Sequence, residues 1–183
     1  MSLARIRIAA RLLAVAAMAA LTAGCFQPMY AEHADGTPGL RDKLLGVELP
    51  PVDKPNASPE ARIGVEIRNA LAFKMYGTAT GTAPTHKLVL RFTTSRSSLI
   101  VSPTTGLPTS ENFGIDAQYN LVEVGTGKSA MTGTTFSRVT YDMPGSYQRF
   151  ARTRALRDAE DRAAQEIADN IQTRLASFFF AGT

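Results

Sequence analysis

Tryptophan is absent from this chain of 183 residues, cysteine occurs once and histidine twice. A single thiol closes no internal disulfide, so the usual staple of an exported domain is excluded. His33 and His86 stand far apart, and no cysteine or carboxylate cluster falls at ligand spacing. That argues against a metal site, and no Ser/His/Asp set is recognisable, so catalysis has no positive support. Long apolar runs are missing as well. The stretch from Leu12 to Leu21 is about half of the roughly 20 residues that a membrane-spanning helix needs. Charge of one sign is scarce too. The formal net charge is +4, from 20 basic and 16 acidic residues, but Arg5, Arg7 and Arg11 all precede or border that apolar stretch. Without them 17 basic residues face 16 acidic ones, and the compositional case for nucleic-acid binding disappears.

What is present begins with that leader. A basic start, an apolar run of secretory length and small residues ahead of the lone cysteine read as a signal peptide over residues 1–24. The segment Leu21-Thr22-Ala23-Gly24-Cys25 resembles the bacterial lipoprotein signal, in which the cysteine is acylated and becomes the first residue. The resemblance implies a diacylglycerol and an N-acyl chain on Cys25, and no other cofactor. The alternative is an ordinary cleaved signal that leaves a free thiol, a liability in an oxidising compartment. Each buried methylene contributes about 0.8 kcal/mol, so several chains hold a protein firmly on a bilayer. Phe26 follows Cys25, where an Asp would signal inner-membrane retention in such lipoproteins; by that resemblance the expected location is the outer membrane, on its periplasmic face.

Removing 24 leader residues from 183 leaves 159, the size of one domain. Residues 25–43, with Pro28, Gly36, Pro38 and Gly39 among polar residues, read as a tether, and 44–183 as a single α+β domain. Leu44 to Leu49 is a strand candidate stopped by Pro50-Pro51. Ser58-Pro59-Glu60 reads as a helix start, with Ile63, Ile67, Ala70 and Leu71 on one face and an end before Gly77. His86 to Thr94, Ile115 to Val122 and Met131 to Tyr141 alternate as half-buried strands. Ser95 to Ser110 reads as a long loop. Gly125-Thr126-Gly127-Lys128 joins two strands and reads as a hairpin turn; it lacks the earlier glycine and the following helix of a phosphate-binding loop. From about Tyr147 to Phe178 an apolar stripe marks a long helix. It takes in Phe150, Leu156, Ala159, Ala163, Ile167, Ile171, Leu175 and Phe178, with Glu160 on the polar face.

The order β-α-β-β-β-α predicts a four-stranded mixed or antiparallel sheet with two helices packed on one face. The other face is left open. By alternation it shows Lys87 and Arg91, then Asp116, Gln118 and Asn120, then Thr134, Arg138 and Thr140. Guanidinium groups pair bidentately with phosphate and carboxamides with hydroxyls, so Lys87, Arg91, Gln118, Asn120 and Arg138 are candidate contacts for a phosphorylated glycolipid headgroup. The plainer reading is a solvated sheet face. His86 reads as a solvated strand end, and Phe178-Phe179-Phe180 as a helix end on the core.

Cys25-Phe26-Gln27-Pro28-Met29-Tyr30, the element order and the alanine-rich charged helix around Arg157-Asp158-Ala159-Glu160-Asp161-Arg162 together resemble the lipopolysaccharide-assembly lipoprotein family LptE. The resemblance spans essentially the whole chain after the leader. It implies a non-enzymatic protein of the outer membrane that plugs the large β-barrel LptD, supports that barrel's assembly and binds lipopolysaccharide on its way to the outer leaflet. A stand-alone periplasmic binding lipoprotein, or an accessory of a membrane transporter, is the other reading.

Overall fold

The computed structural model describes residues 36–77, 82–143 and 148–181. The expected signal peptide, Cys25 and most of the expected tether lie outside the described residues. The elements run α1 (Leu40–Leu45), β1 (Val47–Glu48), α2 (Pro59–Tyr76), β2 (His86–Val101), β3 (Pro108–Glu123), β4 (Ser129–Asp142) and α3 (Arg149–Ala181). The strands form one sheet in the order β1-β2-β3-β4. β1 is parallel to β2, and the other two pairings are antiparallel. This is the α+β fold expected, with one short helix added.

That addition corrects the expected strand at Leu44 to Leu49. Leu40 and Leu44, four residues apart, are buried together as one helical face, and only Val47 and Glu48 remain extended. The helix takes in Leu40 to Lys43, which read as tether, because its apolar pair is too short to show against the glycines and prolines before it. Lys43 Nζ donates to the Phe179 carbonyl at 3.0 Å, tying α1 to the far end of α3.

α2 begins where its signals place it. The Ser58 hydroxyl accepts from the Ala61 amide at 3.0 Å, Pro59 follows in the first turn, and Gly77 ends the helix at φ +60° with its amide bonded to the Phe73 carbonyl. Ile63, Ile67, Leu71 and Met75 are buried along one face. Each such side chain contributes roughly 1.5–3 kcal/mol on leaving water. α3 packs on α2 and on β4 and β3 with a stripe dominated by alanine, including Ala159, Ala163, Ala164 and Ala168, which lets the helices approach closely. The stripe departs from expectation at three places. Phe150, in the first turn of α3, is 80% exposed; Glu160, expected on the polar face, is 3% exposed; and Phe179 rather than Phe178 is the buried aromatic. His86 is also drawn in: its ring meets the Phe179 ring edge-on at 5.2 Å, and its Nδ1 lies 2.9 Å from the Thr85 hydroxyl.

The expected loop from Ser95 to Ser110 is mostly strand. β2 and β3 stay paired through Ser98↔Glu111 and, past bulges, to Val101↔Pro108, so the connection itself is only 102–107. Serine and threonine read as loop residues by composition, but each can satisfy a two-stranded ladder when a partner strand is in register. β4 stops at Asp142 opposite Ser110, so only the tip of the β2–β3 ribbon extends past it; Leu99, Ile100, Val101 and Leu107 are exposed at that end of the sheet. The 125–128 segment is the expected hairpin turn, with Gly127 at φ +68° and the Thr126 hydroxyl donating to Glu123 Oε2 at 2.6 Å.

Candidate functional site

Strand alternation divides the sheet cleanly. Leu88, Leu90, Phe92, Phe113, Ile115, Ala117, Tyr119, Leu121, Val139 and Tyr141 are buried toward the helices. Lys87, Arg91, Asp116, Gln118, Thr134, Arg138 and Thr140 are exposed on the opposite side, with Asn120 partly covered among them. Register then decides which of these meet. Arg91, Gln118 and Thr134 are cross-strand partners in one row, and Val89, Asn120 and Thr132 form the next. These six line an open cleft of about 490 Å³. Three candidate residues, Arg91, Gln118 and Asn120, are thus brought to one place.

The Arg91 guanidinium stands without a carboxylate among the described residues, and the Gln118 carboxamide is free to donate and accept. Asn120 is already oriented, because Ser129 Oγ donates to its Oδ1 at 2.6 Å. That bond leaves the Asn120 amide group as donor. A phosphate accepting from Arg91 and a sugar hydroxyl bonded to the two carboxamides satisfy this arrangement.

Lys87 and Arg138 stand apart from the cleft. Lys87 pairs across to Val122 near the β3–β4 turn, two rows from Arg91. Arg138 lies two rows away toward the tip of the β2–β3 ribbon and is committed to a neighbour: its Nη2 donates to both carboxylate oxygens of Asp116, at 2.7 and 2.9 Å, and its Nη1 to the Ile115 carbonyl at 3.1 Å. Gly114, its partner across the ladder, makes this possible. A Cβ there would sit 2.9 Å from Arg138 Cδ, so the absence of a side chain is what lets the arginine lie flat across β3. Its guanidinium also lies 5.6 Å from the centroid of the Phe136 ring, which is 65% exposed. Phe136 was missed among the site residues, although it falls on the outward face by the same alternation that selects Thr134 and Arg138.

A second group was not legible in the sequence. On the helical side, Glu160 is buried and paired with Arg62, which also reaches Asp161 at 3.2 Å. Burial raises the Glu160 carboxyl above its ordinary value, against the opposing charges of Arg62 and Arg96. Tyr141 is pushed up to about 12, first by burial and then by its hydrogen bond to Glu111. Among the described residues no group of His, Cys, Asp or Glu could hold a metal ion, and no helix is long and apolar enough to cross a membrane.

Residues 45–175 match the family model of the lipopolysaccharide-assembly proteins LptE. The chain belongs to the LptE family. Membership places it among non-enzymatic lipoproteins with a role in lipopolysaccharide assembly. The LptE-type fold recurs in solved structures. A Caulobacter crescentus protein classed as a lipoprotein superposes with a TM-score of 0.60 at 23% identity, over 79% of this chain and 97% of that one. The rare lipoprotein B of Shewanella oneidensis does so with a TM-score of 0.52 at 18% identity, over 74% of this chain and 96% of that one. At such identities the likeness is one of fold. No curated protein matches the sequence.

Proposed function

We propose that this LptE-family protein is held at the periplasmic face of the outer membrane by acyl chains on Cys25. There it plugs and supports assembly of an LptD β-barrel, and it presents its open sheet face to lipopolysaccharide during export. The observation that carries the ligand part of this reading is the clustering of Arg91, Gln118 and Asn120 in one cleft on a sheet face that no helix among the described residues covers. A lipopolysaccharide headgroup carries phosphates beside sugar hydroxyls, the two chemistries those side chains recognise. The plug part rests on family membership and on the near balance of charge after the leader, which suits a polar, water-lined barrel lumen.

Within this reading the residues divide by availability. Arg91 is the primary phosphate contact, Gln118 and Asn120 orient the sugar, and Lys87 adds a longer-range attraction at the turn end. Arg138 contributes only by exchanging Asp116 for a ligand phosphate, which makes its contact weaker than that of Arg91.

Binding of purified lipopolysaccharide to the Arg91→Glu, Arg138→Glu double variant tests this directly. Each charge-assisted contact is worth about 1.5–3 kcal/mol, so a loss of tenfold or more is expected with the fold intact. Unchanged affinity removes the open face as the ligand surface. Intact-mass measurement of the membrane-extracted chain tests the anchor, since an unmodified Cys25 contradicts it.

A further inference from the structure

The sheet has a strand edge on each side, and the chain treats the two differently. β1 pairs with β2 only as far as Lys87, so β2 from Leu88 onward is an edge as well. That side is guarded: Pro50 and Pro51 follow β1, and Lys54 Nζ donates to the Phe92 carbonyl at 2.8 Å while lying 4.8 Å from the centre of the Phe92 ring. β4, on the other side, has no such guard. Its 14 residues contain no proline and no lysine, and its pairing with β3 runs without a bulge from Met131 to Asp142. Its one cation, Arg138, is folded back onto Asp116. β3 holds one side of β4, and α3 packs beneath both strands, which leaves the outer rim of β4 open among the described residues.

The ladder fixes which backbone groups face outward. The Met143 amide donates to the Thr109 carbonyl at 2.8 Å, and hydrogen-bonded positions alternate along an antiparallel pair. Odd-numbered residues from Met131 to Tyr141 therefore bond to β3, whereas even-numbered ones from Thr132 to Asp142 turn their amides and carbonyls to the rim. The side chains at those even positions are exposed, Phe136 at 65%. We propose that this rim pairs antiparallel with β4 of a second copy, joining two sheets into one. The strand is complementary to itself. About a two-fold axis at Ser137, Phe136 meets the partner subunit's Arg138, Thr134 meets the partner subunit's Thr140, and Thr132 meets the partner subunit's Asp142. The cation then faces an aromatic ring, the carboxylate faces a hydroxyl, and no like charges oppose each other. This pairing belongs to the chain outside a barrel, and the one-to-one barrel complex requires that it open.

Sedimentation of the full processed chain, produced without its barrel and kept in density-matched detergent, tests the pairing. A mass that rises from one copy to two with concentration is expected. Thr140→Pro removes one outward amide from each chain, hence two hydrogen bonds from the dimer, and spares the ladder to β3; it should weaken the dimer about tenfold or more. Phe136→Lys sets a guard on the rim and should do the same. Mixing Thr134→Cys with Thr140→Cys chains under mild oxidation should link the two by a disulfide, because Cα atoms of such a directly opposed pair lie about 5.5 Å apart, and neither variant alone should link to itself. A chain that stays monomeric, a dimer that Thr140→Pro and Phe136→Lys both leave unchanged, or a mixture that gives no cross-link overturns the proposal. A monomeric free chain whose Thr134 and Thr140 amides gain protection from hydrogen exchange only in the barrel complex also overturns it, and gives the edge to a strand of the barrel instead.

Discussion

Replacing Arg62 should destabilise the domain far more than replacing its buried partner Glu160. Glu160 has a side chain only 4% exposed, whereas Arg62 is 36% exposed and shares its charge with Asp161. Removing one member of a fully buried pair leaves an uncompensated charge and costs about 3–5 kcal/mol. Water reaches part of Arg62 and screens the pair, so Arg62→Ala costs less, roughly 2 kcal/mol. For a domain of this size that is a fall in Tm of roughly 6–10 °C. Glu160→Gln removes the desolvated charge itself and should stay within about 1 kcal/mol of the parent. The pH dependence separates the two effects. Burial raises the Glu160 carboxyl in the folded chain, so over the interval above the ordinary carboxylate value the folded state keeps a proton that the unfolded state has lost. This group's contribution to stability is then greatest at low pH, falls as pH rises through its folded value and is flat above it. Arg62→Ala should widen that interval, and Glu160→Gln should abolish its slope. Urea denaturation of each variant at several pH values reads both quantities. Equal losses in the two variants, or an unchanged slope in Glu160→Gln, would refute the reasoning.

Two further outcomes test other parts of the structure. Asp116→Asn frees Arg138 from its bidentate partner and should tighten lipopolysaccharide binding by roughly two- to fivefold, the value of an exposed ion pair; direct binding measurements showing no gain would exclude Arg138 from the ligand surface. Phe179→Ala opens a cavity beneath α1 and removes the edge contact with His86, at a cost of about 3 kcal/mol, whereas Phe180→Ala, on an exposed neighbour, should cost less than about 0.5 kcal/mol; thermal melts of the pair compare them side by side.

The parts of the fold that sequence patterning resolved are those with long periods. The cap at Ser58-Pro59, the alternation around Leu88-Leu90-Phe92 and the stripe through Ile167, Ile171 and Leu175 each repeat a physical constraint several times. Short or composition-masked features were harder to see. Leu40 and Leu44 give one helical repeat, too few to outweigh the surrounding glycine and proline. Ser95 to Ser110 is strand because a partner lies in register, which local composition does not record. For the open face, alternation placed Arg91, Gln118 and Asn120 on the right side, but only cross-strand register brings them into one cleft and sets Arg138 against Asp116. Glu160 shows the opposite case. It looks like any helix-surface charge until α2 delivers Arg62 against it from 98 positions away.

The proposed function puts this chain inside a lipopolysaccharide-exporting barrel. Native mass spectrometry of the tagged full-length protein, extracted from outer membranes in mild detergent, tests it most directly. An acylated chain in a one-to-one complex with a single large β-barrel protein is expected. Recovery of the acylated chain alone, or from the inner membrane with a transporter, would contradict it.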